Sequence, residues 1–399
     1  MNSHILEAGR ARHANADYLS KALADSRAQT LRSAVAYSAA LPGLSVPQRS
    51  ELNPPLWELG HIGWFQDWWI ARNPQQGAGV RADPLVVRLP SRLDRADVLY
   101  DSSAVPHATR WALDLPDAAA TQDYLARGLE TSRACLLDAA PDDDGLYFFR
   151  LCLFHEDMHN EAAIYMANSL GFALPDMRET ASCRAGTISL PRATHQLGYS
   201  GPGFAFDNEI AGREAALEPC EIDAAAIDNA RFAAFVDAGG YAEPKYWSLA
   251  GRAWLAAGSA THPRFWRRAG SRWQQRWFGQ WRDLDPRQPA AALTCFEAEA
   301  WCAWAGRRLP TEALWECAAT TQAAFQWGDV WEWCADTFQP YPGFVAHPYR
   351  DYSAPWFGTR RVLRGASTAT HARMKHPRYR NFFTPERCDI FAGFRSCAA

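Results

Sequence analysis

The 399-residue chain has no excess of charge of either sign: 41 basic residues face 44 acidic ones, for a formal net charge of -3. Non-specific nucleic-acid binding requires a basic surface, so the balance argues against that class. Long apolar runs are also missing. No stretch of about 18 apolar residues occurs, so no membrane span is predicted. Residues 1–30 mix charges without an apolar core segment, and no export signal is expected. The ten cysteines form no repeated C-x-x-C framework. In a chain of this length without an export signal they read as reduced thiols of a cytoplasmic protein. No internal repeat and no low-complexity segment is found.

Apolar residues make up 48% of the chain, enough for more than one core, and the length favours two domains. Thirteen of the 18 tryptophans follow residue 240. Such rings can build a core that contains little regular structure, and they can line a pocket for a cationic ligand.

The two halves differ in grammar. Residues 4–40 are rich in Ala, Leu, Arg and Glu, and the first proline is Pro42. Asn53-Pro54-Pro55 opens a helix that would turn Leu56, Leu59, Ile62, Phe65 and Trp69 toward a core. Further helices are predicted over Thr121–Ala139 and Leu146–Leu170, the last ending before Gly171. Asn73–Pro116 reads as a long loop across one end. From about Ala185, glycine, proline and aromatics rise. Two short helices, Asp228–Ala238 and Cys295–Ala305, and strand-like Arg361-Val362-Leu363-Arg364 point to an irregular α+β domain. The boundary falls near residues 175–185.

Three histidines carry the chemistry. His155 and His159 are four apart, which on a helix sets both rings on one face roughly 6 Å apart along the axis. They take positions where a four-helix bundle would have apolar residues, in the series Leu151, His155, His159, Ala162, Met166. Such bundles hold metals between facing helices. His61, on the helix after Pro55, can supply a third imidazole. Three neutral imidazoles leave a divalent ion its full charge and open positions, which suits zinc hydrolysis or iron-dependent oxygen chemistry. His155-Glu156-x-x-His159 also matches the zinc peptidase pattern, with Glu156 as general base and Glu179 as a possible third ligand. Asp157 and Glu161 are candidate acceptors that would orient the rings. A lectin-like binding module on a degenerate bundle is a third reading.

The C-terminal half carries Phe204-Ala205-Phe206-Asp207-Asn208-Glu209, Arg307-Arg308-Leu309-Pro310-Thr311-Glu312, Gly328-Asp329-Val330-Trp331-Glu332-Trp333, Val362-Leu363-Arg364-Gly365, Tyr379-Arg380-Asn381-Phe382-Phe383 and Gly393-Phe394-Arg395. This series resembles the formylglycine-generating-enzyme domain, a variant of the C-type lectin fold. The first half, with His155, His159 and Glu161 as an H-x-x-x-H-x-E element, resembles DinB-type metal-binding bundles. Joined in this order, the halves resemble the ergothioneine-pathway sulfoxide synthases. The resemblance implies an α + (α+β) fold: a DinB-like four-helix bundle over residues 1–180 and a formylglycine-generating-enzyme-like domain over 181–399.

It further implies Fe(2+) held by His61, His155 and His159, and a reaction that uses O2 to couple a chalcogen donor to C2 of the imidazole of hercynine. Asn381, Phe382 and Phe383 would line the hercynine or donor site. Tyr341 would give a proton to reduced oxygen species, and Arg88, Arg92 and Asp94 would contact the donor. The chain departs from the pattern at three places. The segment Ala366–Lys375 lacks the cysteine pair of formylglycine-generating enzymes, which argues against thiol-based sulfatase activation. Met158 stands where some synthases have glutamine. No acidic residue follows Asn381 in Phe382-Phe383-Thr384, so a donor ammonium would lose a charge-assisted contact of about 1.5–3 kcal/mol. This favours a less charged donor, and similarity in domain order extends to the selenoneine synthase branch, which implies a selenosugar donor. A thiol donor, cysteine or γ-glutamylcysteine, is the alternative.

Overall fold

The structure is a computed structural model that describes residues 3–175, 177–178, 180–210 and 212–399. Glu179, the possible peptidase ligand, lies outside the described residues. The first half is helical: α1 (Ser3–Arg12), α2 (Ala16–Ala40), α3 (Pro55–Gln66), the short α4 (Ala96–Tyr100), α5 (Ala118–Leu137) and α6 (Asp143–Leu170). Helix boundaries follow from capping chemistry. Asn15, Asp117 and Asp142 each accept a backbone N–H of the first turn through the side chain. The cap at Asn15 separates α1 from α2 within the helix-rich residues 4–40. Gly171, at φ +93, closes α6 in the left-handed conformation that glycine adopts without strain.

Helices α2, α3, α5 and α6 form the bundle, with α2 on α6, α3 on α5, α2 on α5 and α3 on α6. Leu59, Ile62, Phe65 and Trp69 are buried as their spacing predicts, whereas Leu56 is only half-buried. Helix α3 ends in a π-type turn over Asp67–Ala71 that carries Trp69.

The second half begins with β1 (Thr187–Leu190), β2 (Ala193–Gln196), β3 (Glu214–Leu217) and β4 (Cys220–Asp223), then α7 (Asn229–Asp237) and α8 (Leu249–Gly258). A meander of β5 (Trp266–Ala269), β6 (Arg272–Trp277) and β7 (Gln280–Asp283) follows, then α9 (Cys295–Trp304), β8 (Arg307–Arg308) and α10 (Glu312–Thr321). The chain ends with β9 (Trp331–Thr337), β10 (Arg361–Gly365), β11 (Asn381–Phe383), β12 (Ala392–Gly393) and β13 (Cys397–Ala398). Two four-stranded sheets, in the orders β1-β4-β13-β8 and β11-β10-β9-β12, frame a core rich in buried tryptophan. A helical bundle followed by a sheet-containing domain agrees with the α + (α+β) class. The meander, α8 and α10 were not legible in the sequence.

The two halves are joined through α6. Asp157 receives two hydrogen bonds from Arg373, at 2.6 and 2.9 Å. Glu161 Oε1 accepts from Trp331 Nε1 at 2.7 Å, Ser367 Oγ at 2.9 Å and Thr370 Oγ1 at 2.7 Å. Arg12 pairs with Glu209, and Phe278 N–H donates to Asn168 at 2.7 Å. Asp157 and Glu161 therefore do not orient the histidine rings. Both bind the other half, and Asp157 also accepts from Ser26 of α2 at 2.8 Å.

Among the described residues no helix is long and apolar enough to cross a membrane. All ten cysteines are free.

Candidate metal centre

His61, from the middle of α3, and His155 and His159, one turn apart on α6, come together between the helices. Each offers one ring nitrogen, and the three nitrogens lie within 4.8 Å of one another. His155 Nε2 and His159 Nε2 are 3.2 Å apart. At that distance two lone pairs repel unless a proton or a cation lies between them.

The ring orientations are fixed from behind. His61 Nδ1–H donates to the Tyr100 carbonyl at 2.8 Å, which leaves its Nε2 lone pair for a ligand. The contact depends on Gly60: a Cβ there would sit 2.1 Å from the Tyr100 ring. His159 Nδ1–H donates to Glu58 Oε2 at 2.5 Å, one turn before His61 on α3. Phe65 stacks on His155 with ring centres 3.5 Å apart, and Trp57 stacks on His61 at 4.9 Å. The Arg110 guanidinium covers the Trp57 ring at 3.6 Å.

The electrostatics favour neutral rings at His61 and His155. Burial, then the neighbouring His159, lowers the His61 pKa to about 3. Burial and the other two rings hold His155 well below the usual range. Burial alone would raise Glu58, but the adjacent His159 outweighs it and brings the carboxyl to about 2. Glu58 thus remains an anion that can steady a coordinated imidazole.

Glu156 is held apart from this chemistry. Both of its oxygens are bound by Arg27, at 2.7 and 3.1 Å, and Oε1 also accepts from Thr30 at 2.8 Å. A carboxylate tied in this way on the α2 side of α6 is not available as the general base of a zinc peptidase.

The histidines form the floor of a cleft of about 640 Å³ between the halves, within the range of small-molecule sites. Its walls include Trp57, Arg110, Tyr349, Asp351, Tyr352, Trp356, Phe382 and Phe383. Phe382 and Phe383, named from the sequence, thus lie with the histidines. Asn381 lines the adjoining cavity together with His159, Met158 and Tyr379. Met158 Sδ accepts from the Tyr379 hydroxyl at 3.4 Å.

Other residues named from the sequence lie elsewhere. Tyr341 is buried with Leu197 and Ala313, donates to Glu312 at 3.1 Å and packs under the Arg380 guanidinium at 4.0 Å. It is not among the cleft residues. The tyrosine whose ring meets His155 is Tyr349, with centres 6.3 Å apart. Tyr349 follows the same motif but lies farther along an irregular loop, and no periodicity marks it. Arg88 is folded over Trp68 and Trp69, both at 5.0 Å, and donates to Asn73 at 2.8 Å. Arg92 is exposed and donates to the Arg127 carbonyl at 3.1 Å, and Asp94 is exposed. None of these three is a cleft residue.

The family model of the sulfatase-modifying factor enzyme 1-like domain matches residues 172–329 and 324–399. A hercynine oxygenase of Mycolicibacterium thermoresistibile is 32% identical, with 94% of each chain covered. A hercynine oxygenase of Mycobacterium tuberculosis is 30% identical over 86% of this chain and 90% of that one. A formylglycine-generating enzyme of Thermomonospora curvata is 29% identical over 58% of this chain and 98% of its own.

Proposed function

Because the chain belongs to the hercynine oxygenase family, we propose that it uses dioxygen to join a chalcogen donor to C2 of the hercynine imidazole, on Fe(2+) held by His61, His155 and His159. The observation that carries this reading is the convergence of three imidazole nitrogens within 4.8 Å at the floor of a cleft large enough for organic substrates. The donor set fits ferrous iron: three neutral nitrogen ligands, two with their second nitrogen already engaged by Tyr100 and Glu58. Bound there, iron would supply the one-electron chemistry that activates dioxygen.

The chain's own residues do the rest. Hercynine is N-trimethylhistidine; its trimethylammonium group favours aromatic faces, and Tyr349, Tyr352, Trp356 and Phe382 offer them beside the carboxylate of Asp351. Asn381 and Phe383 extend this wall toward the donor. Tyr349 Oη, whose pKa is raised by burial, is the hydroxyl we assign to proton delivery inside the cleft, in place of Tyr341. Residues 1–180 would act as the metal-binding unit and 181–399 as the substrate-covering unit. The free cysteines suit a reducing, cytoplasmic setting.

For the donor we favour a selenosugar, which makes the product a precursor of selenoneine. The support is the run Phe382-Phe383-Thr384, which offers no carboxylate to a donor ammonium. The test is a competition. Protein reconstituted anaerobically with Fe(II) receives hercynine with equal selenosugar, cysteine and γ-glutamylcysteine, then air, and products are read by mass spectrometry. A selenium adduct of hercynine is expected. A sulfur adduct alone would overturn the donor assignment, and no oxygen-dependent adduct would overturn the reaction.

A further inference from the structure

On the far side of the Glu58–His159 pair from the cleft lies a second, small cavity inside the bundle. Its volume is about 40 Å³, above the roughly 10–15 Å³ that a single water needs. The walls are Ala34 of α2, Leu59 and Ile62 of α3, Ala163 and Met166 of α6, and Leu44 from the turn after α2. Glu58 and His159 line both this cavity and the cleft, so their hydrogen-bonded pair stands between the two.

The cavity offers little to water. A buried water needs two to four polar partners. Most of the polar side chains present are committed: Tyr37 Oη donates to the Ala163 carbonyl at 2.7 Å, and Thr30 Oγ1 sits within the Ser26, Glu156 and Asn160 network, which leaves the Ser33 hydroxyl and Glu58 Oε1 in an otherwise apolar wall. Asn160 Nδ2 donates to Ser26, and Glu58 Oε2 is taken by His159. Cavities of this kind stay dry and accept small apolar species such as xenon. Leu44 and Ala163 are only half-buried, which sets the mouth between α6 and the turn after α2.

We propose that this cavity is a dioxygen site and entry route, delivering the gas through the bundle to the edge of His159. The inference rests on the proposed function. There, two organic molecules must fill the cleft before dioxygen reacts, and a filled cleft closes that face of the centre to the third substrate. A separate apolar path, too small for either organic molecule, resolves the conflict.

The experiment pairs xenon-pressurised crystals with oxygen kinetics of the Fe(II)-loaded protein. Xenon is expected among Ala34, Ile62 and Ala163, and Ala34→Leu is expected to abolish it. The same variant should raise KM for dioxygen several-fold and leave KM for hercynine unchanged. Ala163→Leu fills the cavity from the opposite wall and guards against misfolding of one variant. Ordered water or no xenon in the cavity overturns the inference, as does an unchanged kcat/KM for dioxygen in both folded variants. If the wild-type protein consumes no dioxygen with hercynine, the proposed function falls and this inference falls with it. If it does and the fillings change nothing, only the gas route falls.

Discussion

Asp157 and Arg373, 216 positions apart in the chain, form a doubly hydrogen-bonded ion pair that is almost fully buried between the two halves. Arg373 belongs to the segment that follows Gly365, which lacks the cysteine pair that the sequence resemblance would have implied. Here Ser367, Thr370 and Arg373 all bind acidic residues of α6 instead. The segment has become a dock for the histidine helix.

Removing one partner of a buried pair leaves the other charge uncompensated, at a cost of about 3–5 kcal/mol. Arg373→Met is therefore expected to lower stability by that order in denaturant titrations. It should also impair turnover, because the cleft is built from both halves. An Asp157→Leu, Arg373→Met double variant should recover much of the stability. A double variant as unstable as the single one would contradict the pairing.

In the proposed iron site Glu58 would act through His159, to which it is hydrogen-bonded. Glu58→Ala is expected to weaken Fe(II) binding by about 10–100-fold, the usual effect of losing a partner behind a ligand. Equilibrium iron titration under anaerobic conditions reads the affinity directly. An affinity equal to wild type would show that the 2.5 Å contact does not support the ligand.

The iron-free protein should be acid-sensitive through His61. Its pKa falls from 6.5 in the unfolded chain to about 3 in the folded one. Between those values the unfolded chain binds the proton and the folded one does not. The contribution is thus fully present above pH 6.5 and is lost progressively as pH drops toward 3. The slope for one such group is about 1.4 kcal/mol per pH unit. Denaturant midpoints measured in chelator across this window should fall with acidity, and His61→Leu should flatten the profile.

Glu156 distinguishes the oxygenase from a peptidase. In a peptidase, Glu156→Gln would abolish turnover. Here Arg27 and Thr30 hold the side chain, so the variant should lose thermal stability while its hercynine-dependent oxygen uptake stays within a few-fold of wild type. A complete loss of uptake in a folded, iron-replete variant would reopen the hydrolytic reading.

The two tyrosines should separate cleanly. Tyr349→Phe is expected to lower kcat by about 10²–10⁴-fold, the range of a positioned proton donor. Tyr341→Phe removes one hydrogen bond to Glu312, which Arg380 continues to hold at 2.9 and 3.0 Å. About 1 kcal/mol of stability and little activity should be lost. Steady-state rates and thermal unfolding of both variants provide the comparison; equal kinetic effects would contradict the assignment.

Local sequence by itself determined the helical half, the end of α6 at Gly171 and the shared face of His155 and His159, because those depend on the helical repeat and on glycine's backbone freedom. Its place on the helix after Pro55 also marked His61, and the motif marked Phe382 and Phe383. What the tertiary structure decided were partners distant in the chain. The residue that steadies His159 is Glu58, 101 positions away, and the group that sets the His61 tautomer is a backbone carbonyl, which no side-chain pattern can announce. Asp157 and Glu161 share the helix with the histidines, yet their positions rotate them toward the other half rather than the metal. Whether a carboxylate near two histidines orients a ring, closes a domain seam or, like Glu156, ties the bundle together depends on which helix or loop is packed against that face. Only the folded chain fixes that packing.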